Sequence, residues 1–362
     1  SALLHFHAFT GDLFRRPDWP ETLASLERPE VLAALAQLLG VSDFLWDDFL
    51  RMQYANLFPV VKNVSALNER KRRPVLETEL DAALAAAEDT AWVEALNAAK
   101  DREMFRIDMR HILGYTAEFW DFSEELTDLV EVVVDVALRR ITAALHASHG
   151  RPLREDGTPS RLAVCALGKC GGRELGFASD IELIFVYEEN GHTDGPQSIS
   201  SAEFYEKLVE TFLGSVRARR EGIFEIDLQL RPYGKAGSLS VSLSAFQRYF
   251  APGGPAWPYE RQALVRLRPI AGDRAFGHSL EALRDTYVYA GKRFDVTAMR
   301  AMRERQVRHL VKAGTFNPKY SRGGLVDVEY LVQGLQMMHG ANVPALRTPN
   351  TRQAMVALAE AG

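Results

Sequence analysis

Cysteine is nearly absent: the 362 residues contain two, Cys165 and Cys170. That number supports neither a disulfide framework nor a zinc site, so a reducing compartment, the cytoplasm, is expected. No apolar run approaches the roughly 20 residues needed to span a bilayer. The most apolar helical stretch, LVEVVVDVALRRITAALHA (129–147), is broken by Glu131, Asp135, Arg139 and Arg140. Positive charge is not in excess either. A net charge of -5 argues against general affinity for nucleic acid or an anionic membrane surface, and neither is expected as a partner. There is no internal repeat, low-complexity tract or secretory signal pattern. The chain begins at Ser1 without Met and stops inside the helical pattern TRQAMVALAEAG, so a segment of a longer polypeptide is expected.

What is present is the composition of a globular chain, 47% hydrophobic and 25% charged, long enough for two or three cores. Three- and four-residue apolar spacing predicts a helical region over 1–150. Its last helix is expected from Ser123 to Gly150. The polar, Pro- and Gly-containing piece HGRPLREDGTPS (149–160) marks a boundary. Beyond it the apolar period changes. LAVCAL (162–167) and DIELIFVY (180–187) suit strands, and SAEFYEKLVETFLGSVRARR (201–220) suits an amphipathic helix. FEIDLQLRP (224–232) alternates, with Glu225, Asp227, Gln229 and Arg231 on one face. Helical spacing returns from about Pro269. The predicted organisation is a small mixed α/β catalytic domain over 151–272 between helical regions 1–150 and 273–362, an α+β and mainly helical fold.

The chemistry concentrates in LGKCGGRELGFASDIELIF (167–185). Asp180 and Glu182, two apart on a strand, share a face and lie ~6.6 Å apart along it at ~3.3 Å per residue. Paired carboxylates suit a hard cation such as Mg²⁺, which takes one or two of them plus substrate phosphates. A third acid on a neighbouring strand would complete a two-metal clamp, and Asp227 is the candidate. The preceding glycines let backbone amides approach phosphate oxygens, with Lys169 adding a point charge. The spacing matches neither a Walker A loop nor a dinucleotide fingerprint. By themselves such glycines make a turn and such acids a solvated strand face; strand, glycine turn and acid-x-acid together carry the weight.

Leu167-Gly168 followed by Asp180-Ile181-Glu182-Leu183 resembles the pattern of the polymerase-β-like nucleotidyltransferase superfamily. GKCGGRELGFASDIELIFVY (168–187) resembles, more closely, the active-site segment of glutamine synthetase adenylyltransferases. KDREMFRIDMRHILG (100–114), EIDLQLRPYGKAGSLSVSLSAFQRYF (225–250), WPYERQALVRLRPIAGD (257–273) and SRGGLVDVEYLVQGLQMMHG (321–340) resemble further segments of that family. The resemblance implies one catalytic half of a nucleotidyltransferase that adds AMP from ATP to a tyrosine of glutamine synthetase, or removes it by phosphorolysis. It implies Asp180, Glu182 and Asp227 as catalytic ligands of Mg²⁺, or of Mn²⁺ in its place. Gly168, Lys169, Gly171, Gly172 and Ser179 would surround the nucleotide phosphates, with Arg231 neutralising charge there. Glutamine synthetase and a nitrogen-signalling regulatory protein are the implied partners. HTDG (192–195) resembles the removing half of such enzymes, ERQALVRLRP and GGLVDVEYLVQ the adding half, so direction stays open. Two positions depart from the family pattern: Glu182 replaces the usual Asp, and Gln229 the usual Arg. A catalytically weak sensor or docking half, and a uridylyltransferase-like enzyme acting on a signalling protein, are the alternative functions.

Overall fold

The computed structural model describes residues 2–15, 17, 19–20, 29–40, 67–177, 179–218, 223–290 and 295–362. They form two compact units, Ser1–Val133 and Val134–Gly362. The architecture is α+β and mainly helical.

The first unit contains α1 (Ala2–Leu13), α2 (Pro29–Leu39), α3 (Arg73–Ala85), α4 (Trp92–Ile112) and the first half of α5 (Phe119–His149). Leu76, Leu80 and Leu84 recur every fourth residue on α3 and are buried, as an amphipathic helix requires. Helix α4 instead buries charge. Its Arg106 and Arg110 both reach the buried Glu125 of α5, at 2.8 and 3.1 Å, and Arg106 also holds Glu103 at 2.6 Å. Lys71 and Arg73 extend the network to Glu103 and Glu131, at 2.9 and 2.7 Å. The buried Arg106, Arg110, Glu103, Glu125 and Glu131 are thereby matched, the condition under which such groups are tolerated in a core. Helix α5 starts at Phe119, four residues before the predicted Ser123, because the Phe122 amide already bonds the Glu118 carbonyl. Ser123 is buried mid-helix, where its carbonyl accepts the Thr127 hydroxyl at 2.7 Å.

The second unit is built on a five-stranded mixed sheet: β1 (Leu162–Ala166), β2 (Ile181–Tyr187), β3 (Ile226–Asp227), β4 (Ser240–Ser242) and β5 (Arg268–Gly272). The order is β3-β2-β1-β5, with β4 also on β2. Strand β1 lies antiparallel to both β2 and β5, while β3 and β4 run parallel to β2. With helices on both faces, β1 and β2 are almost wholly apolar. Ala163, Cys165, Ile184 and Val186 point into a core with α8 (Leu243–Phe250) and α10 (Arg274–Val288). On the other face Phe185 meets Phe212 of α7 (Ser201–Ser215), ring centroids 5.3 Å apart. Remaining elements are α6 (Gly168–Gly172), α9 (Pro258–Ala263), α11 (Val296–Leu310), α12 (Leu325–His339) and α13 (Thr351–Ala361). No helix among the described residues is long and apolar enough to cross a membrane.

One predicted strand is much shorter than its alternation implies. Of 224–232 only Ile226 and Asp227 pair with the sheet. The Asp227 carboxylate accepts the Gln229 amide at 2.7 Å, and the Arg231 guanidinium donates to the Leu228 carbonyl at 2.7 Å. These local bonds offer the backbone a turn in place of the ladder.

Candidate functional site

The glycine stretch is one helical turn, α6, set between β1 and β2. Its start is tied to β2 through the Leu167 amide and the Glu182 carbonyl, 2.8 Å, and its first internal bond joins Gly171 N to Leu167 O at 2.7 Å. Its C-terminal carbonyls are held from outside: Arg268 of β5 donates to Gly171 O at 2.9 Å and Cys170 O at 3.0 Å, and Asn350 to Gly172 O at 2.7 Å. Basic groups at a helix C-terminus satisfy carbonyls that have no intrahelical donor.

Gly168 has φ of 49°, and a Cβ there would fall 1.2 Å from the Glu182 carboxylate. Only a glycine lets that carboxylate pass beneath the turn. Gly171 is needed for another reason, since a Cβ would meet the Arg266 carbonyl at 1.9 Å. Because a side-chain end can move aside and a backbone carbonyl cannot, the two substitutions separate. Gly168→Ala is expected to stay folded, with about 1–2 kcal/mol of left-handed strain, but to displace Glu182 and lose nucleotide binding. Gly171→Ala is expected to unfold the unit at a lower temperature. Thermal melting beside ATP titration distinguishes them.

Strand register brings the acids together. Glu182 on β2 is the direct partner of Asp227 on β3, and Asp180 immediately precedes β2. Burial raises the Asp180 carboxyl above the usual range, and the Glu225 and Asp227 charges add to it. Glu182 is raised by burial first and then by Asp227, with Arg266 opposing. Crowding of this kind is the electrostatic condition a divalent cation relieves, and the donors are hard oxygens that suit Mg²⁺. Among the described residues, however, no three His, Cys, Asp or Glu side chains are gathered closely enough to hold a metal as they stand. Asp227 is turned toward Gln229, whose amide nitrogen Nε2 lies 3.3 Å from its second oxygen.

A cavity of about 400 Å³ opens beside this edge, with Gly168, Lys169 and Glu182 on one side. Burial first, and then the neighbouring Lys319 charge, lowers the Lys169 ammonium from its usual value. The other predicted residues lie outside the lining. Gly171 and Gly172 are buried behind the turn. Ser179 closes the local loop, its hydroxyl accepting Gly176 N at 3.0 Å. Arg231 is buried and braces the Leu228 and Gly237 carbonyls, at 2.7 and 3.2 Å. Completing the cavity are Arg266, which the block 257–273 already suggests as an edge of the nucleotide site or a structural ion pair, and residues that sequence reasoning did not assign: Tyr259 and, beyond 273, Lys319, Tyr320, Glu329 and Tyr330. For Glu329 and Tyr330 the signal was the block 321–340, whose Asp327 and Glu329 diverge on α12 as their spacing requires. Asp327 pairs with Arg303 at 2.7 Å, while Glu329 turns to Arg266 at 3.5 Å.

Comparison with known proteins finds a matching family and similar curated proteins. The family described as Glutamate-ammonia ligase adenylyltransferase matches residues 32–283. Similar curated proteins are named "Bifunctional glutamine synthetase adenylyltransferase/adenylyl-removing enzyme". That of Shewanella loihica is 31% identical over 91% of this chain and 34% of its own length. That of Chromobacterium violaceum is 34% identical over 93% of this chain and 36% of its own length. That of Bordetella pertussis is 36% identical over 69% of this chain and 28% of its own length. The chain thus spans about a third of the length of these relatives.

Proposed function

The chain belongs to the glutamate-ammonia ligase adenylyltransferase family, and on that premise we propose that it is one catalytic half of an enzyme that modifies a tyrosine of glutamine synthetase with AMP or removes that group. In the adding direction the tyrosine oxygen bonds to the α-phosphorus of ATP, the bond to the β-phosphate breaks, and pyrophosphate leaves with the phenol proton passing to solvent. In the removing direction phosphate attacks the same phosphorus and the AMP–tyrosine bond breaks, giving ADP and free tyrosine. Either reaction needs positioning and neutralisation of phosphate charge more than covalent help from the protein.

The observation that carries this reading is the register that sets Asp227 opposite Glu182, with Asp180 beside them and Gly168 above. These three carboxylates would hold Mg²⁺, or Mn²⁺, which when bound supplies charge neutralisation at the phosphates. Gly168 and Lys169 supply the phosphate contacts. Gly171, Gly172, Ser179 and Arg231 act by holding the turn and the 228–237 loop that carry the site. We read the chain as a catalytic domain over 151–272 between helical regions 1–150 and 273–362, working in the cytoplasm under a nitrogen-signalling regulatory protein.

The test incubates the chain with purified glutamine synthetase, ATP and Mg²⁺ and follows its tyrosine peptides by mass; the reverse assay starts from the adenylylated enzyme and phosphate. Transfer in either direction is expected, and Asp180→Ala is expected to lose it. Unchanged activity in that variant sinks the site. The Asp227–Gln229 contact favours a second reading, a half that binds nucleotide without turnover; ATP binding with no transfer in either assay selects it.

A further inference from the structure

Part of the cavity wall comes from outside the α/β region. Lys319 lies just before α12, in a segment whose backbone is closely held. The Asn317 side chain accepts the amides of Lys319 and Tyr320, at 2.9 and 3.1 Å. The carbonyls of Pro318 and Lys319 accept Leu325 N and Val326 N, at 3.0 and 3.1 Å, so they satisfy first-turn amides of α12 that have no acceptor within the helix. From α11, Arg303 donates to the Tyr320 carbonyl at 3.2 Å while holding Asp327 of α12. The Lys319 ammonium stands 5.0 Å from the Tyr320 ring centroid, within cation–π range. A flexible side chain thus springs from a fixed base, which lowers the ordering cost of any contact it makes.

Three cations line the cavity: Lys169, Arg266 and Lys319. Arg266 is committed, to Glu174 at 3.0 Å, Glu329 at 3.5 Å and the Thr351 hydroxyl at 2.6 Å. Among the described residues neither lysine has a carboxylate within ion-pair distance. Two unpaired ammonium groups therefore share one cavity of about 400 Å³ and repel each other. Lys319 is also a cation felt by both Asp180 and Glu182. An anion meeting it lies along the carboxylate edge, and a second anionic group within reach of Lys169 relieves the repulsion. A chain of phosphates carries several charges at such spacing; a single carboxylate does not.

We propose that Lys319, supplied by the C-terminal helical region, is a polyphosphate-binding residue of this site and acts with Lys169 on the nucleotide phosphates beyond the first. The inference rests on the nucleotidyl-transfer reading above and extends it to a residue outside 151–272. Calorimetric titration with inorganic tripolyphosphate, ATP and AMP tests it in wild type, Lys319→Ala and Lys319→Arg. Lys319→Ala is expected to weaken tripolyphosphate and ATP by about tenfold, the scale of one charge-assisted hydrogen bond. AMP should change by less than about twofold, within 0.4 kcal/mol or so, and Lys319→Arg should recover most of the loss. Lys319 is exposed, so the thermal midpoint should hold in each variant. Unchanged tripolyphosphate affinity, or equal losses for tripolyphosphate and AMP, overturns the proposal while the function stands. Wild type that binds neither ATP nor tripolyphosphate overturns the functional reading and this inference with it.

Discussion

Glu182→Gln is expected to abolish AMP transfer and, in the same molecule, to raise the melting temperature. The two effects share one cause. In the free protein the Glu182 carboxylate is pushed toward its neutral form, by burial first and then by Asp227. An amide of nearly the same shape removes that charge while leaving the volume beneath Gly168 filled. Arg266 and Lys319 lose an opposite charge in the exchange, but their attraction is the smaller influence, since the carboxyl is raised overall. The midpoint should therefore rise by about 2–4 °C, the shift that 1 kcal/mol produces in a unit of this size. Activity falls because an amide contributes one neutral oxygen where a cation site needs an anionic one. A loss of several kcal/mol of charge stabilisation corresponds to about 10²–10³-fold or more in rate. Glu182→Asp keeps the charge and withdraws it by one methylene, so it should retain far more activity than the Gln variant. Parallel melting curves and transfer assays decide the matter: a Gln variant that is active, or one that is inactive and less stable, removes Glu182 from the proposed role. A residue that costs stability and supplies chemistry is what a functional site is expected to contain.

How much of this was readable beforehand depends on what each residue's neighbours are. Strands β1 and β2 were legible because helices cover both faces, which leaves uninterrupted apolar runs. Helix α7 was legible from its 3.6-residue pattern; the Ser200 hydroxyl caps it, accepting Glu203 N at 3.1 Å. Asp180 and Glu182 were read as a pair from strand alternation, and β2 begins at Ile181, so Asp180 stands just before the strand. Alternation misled at 224–232, where the residues that looked like a polar strand face instead bond their own backbone. Arg231 shows the same limit. The family resemblance implies a place for it at the nucleotide phosphates, and in the fold its guanidinium donates to two carbonyls, which no sequence pattern reports. The far wall of the cavity was illegible for a different reason. Lys319 lies 137 positions after Glu182 in sequence, and no local period reports a contact between separate elements. Arg266 was singled out within its block, but its burial and three partners follow only from tertiary packing.

Asp108, on the other hand, carries the largest predicted change in stability away from the site. It lies on α4 between Arg106 and Arg110, both committed to Glu125. Residues two apart on a helix point to opposite sides, so Asp108 cannot join its neighbours' network. It is buried, and neither carboxyl oxygen has a hydrogen-bond partner among the described residues. Desolvation pushes its carboxyl well above the ordinary aspartate range. In the unfolded chain the same group returns to about 3.9. Between those limits the folded state holds a proton that the unfolded state has released, so stability falls as pH rises. Below the ordinary range both states are protonated and the penalty vanishes. At neutral pH, well above the unfolded value, the cost is present. Asp108→Asn should therefore stabilise the protein at pH 7 by about 1–3 kcal/mol, the scale of an unsatisfied buried polar group. The gain should shrink toward zero as the pH is lowered to about 3–4, where aspartate is protonated in both states. Denaturant midpoints measured for both proteins across this range give the test. A gain that is independent of pH would assign the effect to packing and not to the buried charge, and a loss at pH 7 would mean that the carboxylate is matched in the folded state.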